Sequence, residues 1–103
     1  MDNDSQNNII SKELLDKYFK VAQKALDKVK IVEDETREVS WKETALDFLD
    51  MATRYIKDAH YFLEKGDIPR AFGALNYAHG WLDAGARIGL FDVDKDSVLF
   101  TVD

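Results

Sequence analysis

The stretch YIKDAHYFLEKGDIPRAFGALNYAHGWLDAGARIGLF, residues 55–91, decides the fold, because it reads as two helices joined by a very short turn. Tyr55, Ile56, Ala59, Phe62 and Leu63 recur at helical spacing, and Gly66 follows them where a helix commonly ends on a left-handed residue. Asp67 can accept from the free amides of the next turn, and Pro69 stands in that turn, where a missing N–H costs little. So short a link forces the two helices to lie side by side and antiparallel.

The second of these helices is apolar around most of its girth. Ala71, Ala74, Leu75, Ala78, Trp81, Leu82, Gly85 and Ile88 sweep more than half of it, and only Asn76, His79, Asp83 and Arg87 form a narrow polar strip. Such a helix needs cover on two sides and is expected at the centre of the domain. Gly73, Gly80 and Gly85 lie inside it, each costing about 1 kcal/mol relative to Ala. Close approach by a neighbour is the expected offset. Gly73, Tyr77, Gly80 and Ala84 share one side, away from Leu75 and Leu82. That side is a candidate surface for a second chain, unless helix 1 or the C-terminal tail fills it.

Working outward, Ser11 can cap a first helix whose stripe is Leu14, Leu15, Tyr18, Ala22, Ala25, Leu26 and Val29. Its other side carries Lys17, Lys20, Lys24 and Lys28, either a solvated face or a ridge for an anionic partner. VEDETREV, residues 32–39, breaks the period and reads as a connection. Ser40 and Glu43 have capping-box spacing and open the second helix, with Trp41, Ala45, Phe48, Leu49 and Ala52 on its core stripe and Leu46 and Tyr61 turned away. The periodicity therefore predicts helices over 11–31, 40–65 and 68–88, an all-α antiparallel three-helix bundle. The domain spans 11–91, after a flexible N-terminus 1–10 and before an acidic then apolar tail 92–103. That short extended tail is expected to fold over the helices or to add to another molecule. Asp92, Asp94 and Asp96 imitate a calcium loop, but Ser97 replaces its glycine and Asp103 its glutamate, so an acidic turn is the expectation.

A chain of 103 residues with 46% hydrophobic and 33% charged residues is one ordinary globular domain. The net charge of −6 opposes binding to nucleic acid, although the six lysines from Lys12 to Lys30 outweigh Glu13, Asp16 and Asp27 locally. The absence of cysteine excludes disulfides and thiolate chemistry. No run has the length of a membrane span, and MDNDSQNN lacks the parts of a signal peptide, so a cytoplasmic protein is expected.

The one polar constellation worth weighing as chemistry is Asn76, His79, Asp83 and Arg87, whose spacing lets His79 meet Asp83 and Asp83 meet Arg87. These residues could bind a small ligand or serve an enzyme, or simply tidy the wet strip of a buried helix. His60 is expected roughly 10 Å along the axis from His79, too far to share an ion, so neither a metal nor a cofactor is expected. The serines have no histidine nearby in sequence, and no glycine-rich phosphate loop occurs. The preferred reading is a non-enzymatic interaction module that self-associates or binds a protein partner. Membranes and nucleic acid are not expected partners.

From Tyr55 to Phe91, and more faintly back to Ser40, the chain resembles a family of short archaeal proteins, Domain of Unknown Function 357. The likeness rests on Asp58-Ala59, Tyr61-Phe62, Gly66-Asp67, Arg70-Ala71-Phe72, the run from Tyr77 to Gly85, and Gly89-Leu90. The resemblance implies a small three-helix bundle and brings no activity, cofactor or catalytic residue. Helix 1 and the tail after Asp92 lie outside it.

Overall fold

A computed structural model describes residues 8–101, so that most of the expected flexible segment 1–10 and the last two residues of the tail lie outside the described residues. Three helices carry the fold, α1 (Lys12–Lys28), α2 (Val39–Glu64) and α3 (Ile68–Arg87). They form the all-α antiparallel bundle that the periodicity predicts. Leu15 of α1 clusters with Ala71 and Leu75 of α3 near the hairpin, and Ala25 clusters with Leu82 and Ala86 at the far end. α1 and α3 therefore run the same way, and α2 opposes both.

The hairpin is built as its sequence suggests. Gly66 takes φ +74°, its N–H donates to the Leu63 carbonyl at 3.0 Å, and the Asp67 N–H donates to the Phe62 carbonyl at 2.8 Å. These crossed bonds satisfy the last carbonyls of α2. The Asp67 carboxylate then accepts from the Arg70 N–H at 3.1 Å, with Pro69 in the first turn. Gly89 repeats the device at the end of α3, with φ +86° and the Leu90 N–H donating to the Gly85 carbonyl at 2.8 Å.

Two boundaries differ from expectation. α1 stops at Lys28 rather than near residue 31, because Lys30–Ile31 (β1) pairs antiparallel with Phe91–Asp92 (β2), Ile31 opposite Phe91. The Val32 N–H extends the ladder by donating to the Leu90 carbonyl at 3.0 Å. The Ser40 capping box does not form. α2 begins at Val39 with Glu38 at the N-cap, and the Ser40 hydroxyl, inside the first turn, donates to the Glu38 carboxylate at 3.4 Å. The Trp41 N–H donates to the Glu38 carbonyl at 2.9 Å and Arg37 lies 3.9 Å over the Trp41 ring, which fixes the turn ahead of Ser40. In the preceding loop, the Thr36 hydroxyl and N–H donate to Asp34 at 2.6 and 2.9 Å and hold its carboxyl below the ordinary carboxylate value.

α3 is the central element. Ala71, Ala74, Leu75, Ala78, Leu82, Gly85 and Ala86 are all buried on it, and it packs against both α2 and α1, which touch each other least. The tail folds back in cis: Phe91, Val93 and Phe100 are buried in the same cluster as Ala25, Ala52 and Leu82. Of the three helical glycines, Gly85 has a reason inside the chain, since an added Cβ would run into the Phe91 ring.

Candidate functional site

The polar strip of α3 meets the tail. Asp83 accepts the Thr101 N–H, and Arg87 donates to the Thr101 carbonyl at 3.1 Å, so both backbone groups of one tail residue are held from α3. One turn earlier the His79 ring stacks on Phe100, centroids 6.0 Å apart and planes 17° from parallel. Asn76, next along the strip, is exposed and makes no part of this clamp. It lines, with Tyr18, Val21, Ala22, Leu75 and His79, a cleft of about 120 Å³ between α1 and α3. Thus His79, Asp83 and Arg87 are brought together on the tail. His79 Nδ1 is buried with no hydrogen-bond partner among the described residues.

His60 is elsewhere, tilted against Phe19 at 4.6 Å on the α1 side of α2. The acidic turn uses its carboxylates locally. Asp92 accepts from the Asp94 N–H at 2.9 Å, Asp96 accepts from the Val98 and Leu99 amides at 3.0 Å, and Lys28 lies 3.5 Å from Asp94. These groups cap turns, as short acidic side chains do in loops.

The opposite flank of α3 is open. Gly73, Tyr77, Gly80 and Ala84 are all exposed, and a Cβ added to Gly73 or Gly80 would find nothing within 4 Å among the described residues. Among the described residues, neither helix 1 nor the tail fills this side. Phe48, Tyr77, Gly80, Trp81 and Ala84 instead line an apolar groove of about 260 Å³ between α2 and α3. Its walls are aromatic, with Phe48 on Trp81 at 4.9 Å, Tyr55 on Tyr77 at 4.5 Å and Tyr77 on Trp81 at 6.1 Å, all edge to face. Tyr77 is 49% exposed, and Ile88, which helical spacing sets on the same flank three turns on, is 55% exposed.

Sequence reasoning found the glycine flank and set Phe48 and Trp81 against the core, where both pack half-buried, but missed that the two also wall the groove and that Ile88 is exposed. The missed signal was angular: Trp81 and Ile88 fall within about 40° of Tyr77 on a helical wheel, on the open side rather than with Leu75 and Leu82. Leu46 and Tyr61, 48% and 55% exposed, stand on the other face of α2 and take no part in the groove.

A sequence model of the family described as "Protein of unknown function (DUF357)" matches residues 17–91. The chain belongs to the DUF357 family. The match reaches further back than the resemblance, which runs over residues 55–91 and more faintly back to Ser40, and it takes in most of α1, in keeping with the three-helix bundle that the resemblance implies. The tail from Asp92 stays outside it, although Val93 and Phe100 complete the core. No curated protein and no solved structure matches the chain. Among the described residues no helix is long and apolar enough to cross a membrane.

Proposed function

We propose that this DUF357 chain is a non-enzymatic, cytoplasmic protein-interaction module whose contact surface is the α2–α3 face around Tyr77 and Gly80. One observation carries the reading. Gly73 and Gly80 stand in the interior of a helix, cost about 1 kcal/mol each relative to alanine, and have no neighbour among the described residues that an alanine would disturb. About 2 kcal/mol is a large fraction of the stability of a small domain. A partner backbone approaching closely supplies the reason that the monomer lacks, and the groove beside Gly80 supplies apolar area for it.

The other reading, a small ligand or substrate held by Asn76, His79, Asp83 and Arg87, has less support, because Asp83 and Arg87 already engage Thr101 and Phe100 covers His79. The test is capture on the immobilised chain, comparing the wild type with Gly80→Gln and with Leu46→Gln on the opposite face. The proposal expects a protein, this one or another, to be retained by the wild type and by Leu46→Gln and lost with Gly80→Gln. Retention that ignores Gly80, or no retention at all, contradicts it.

A further inference from the structure

Resting on the reading of the α2–α3 face as a contact surface, we infer that its occupant is a second copy of this chain. The two-fold axis crosses α3 between residues 78 and 79, so that the two α3 helices lie antiparallel and each Tyr77 ring enters the hollow over Gly80 of the other copy. The flank is self-complementary about that point. Tyr77 and Gly80 lie equally far on either side of it, and so do Gly73 and Ala84. An isologous contact requires this kind of match, in which residue i meets j while j meets i.

A parallel pair would set Tyr77 against Tyr77 and Gly80 against Gly80, crowding one level and leaving a void at the other. In the antiparallel pair the exposed tyrosine faces a groove of about 260 Å³ walled by Phe48 and Trp81. Edge-to-face contact of this sort is what Tyr77 already makes with Tyr55 at 4.5 Å. Arg70 and Arg87 come to opposite rims, where Arg70 is bridged to Asp67 at 3.5 Å and Arg87 bonds to the Thr101 carbonyl at 3.1 Å. A face about 30 Å long and two helices wide offers roughly 600 Å² per copy, about 1,200 Å² in all, the lower edge of the range for stable complexes. The dimer is therefore reversible rather than obligate.

The natural chain has no cysteine, which makes the geometry directly testable. Gly73→Cys and Ala84→Cys, both on exposed positions, are prepared separately, mixed at high concentration and mildly oxidised. A disulfide needs Cα atoms within about 7 Å, whereas in the antiparallel pair the two copies of residue 84 are about 16 Å apart along the axis. The mixed disulfide is expected to dominate, Ala84→Cys alone is expected not to cross-link, and adding Gly80→Leu to both variants is expected to abolish the mixed product while circular dichroism stays helical. Dominance of an Ala84→Cys homodimer overturns the antiparallel arrangement. Cross-linking indifferent to Gly80→Leu, or none, overturns the second-copy proposal, and the capture experiment above then decides separately whether the face takes another protein.

Discussion

Alanine at Gly80 and at Gly85 makes the same chemical change on the same helix, yet the structure demands opposite results. At Gly80 the new methyl meets nothing within 4 Å among the described residues, so only helix propensity acts, and the monomer gains about 1 kcal/mol. At Gly85 the methyl would lie 2.5 Å from Phe91 Cδ2, with Cε2 nearer still. Phe91 is 3% exposed and its backbone is tied to Ile31, so the ring cannot swing freely aside. Overpacking of this kind costs about 1–3 kcal/mol, and expelling the ring forfeits up to about 3 kcal/mol of burial. Subtracting the propensity gain leaves Gly85→Ala up to about 2 kcal/mol less stable than the wild type, a gap of about 1–3 kcal/mol between the twins. Urea titration followed by far-ultraviolet circular dichroism, at a concentration where the chain is monomeric, should separate their midpoints by about 1 M. A Gly85→Ala midpoint above that of the wild type, or a Gly80→Ala midpoint below it, would refute the reasoning.

The helix starts supply a second contrast. Asp67→Ala removes a cap that accepts from Arg70 and should cost about 1 kcal/mol, whereas Ser40→Ala, inside the first turn of α2, should fall within about 0.5 kcal/mol of the wild type by thermal or urea unfolding. At the tail, Asp83→Ala frees the Thr101 N–H, so hydrogen exchange at residues 99–101 should accelerate and stability fall by about 1 kcal/mol; unchanged exchange would mean that the Asp83 bond contributes nothing to holding the tail. Phe100→Ala should be costlier, about 3 kcal/mol in the same unfolding assay, because Phe100 is 3% exposed within the core.

The hairpin was legible because local chemistry sets it: Gly66, Asp67 and Pro69 each act within a few residues of themselves. The centrality of α3 was legible for a different reason, since its apolar girth leaves no other place for it. Ser40 misled because a capping box is a local pattern, and Trp41 with Arg37 on its ring fixed the first turn from the side. The pairing of Ile31 with Phe91 could not be read, as it joins segments about 60 residues apart whose only shared mark is an apolar residue. The same limit hid the clamp. Helical spacing aligned His79, Asp83 and Arg87, but only the returning chain supplied Phe100 and Thr101 as what they hold. Among the glycines, spacing could not tell Gly85, which faces Phe91, from Gly73 and Gly80, which face nothing among the described residues.

Sedimentation equilibrium over a concentration series from about micromolar to about millimolar asks most directly whether the open flank of α3 is a contact surface between copies. The account predicts a weight-average mass that climbs from 11.8 kDa towards twice that value and stays at 11.8 kDa when Gly80 is replaced by leucine. A wild-type mass of 11.8 kDa across the whole series would contradict it.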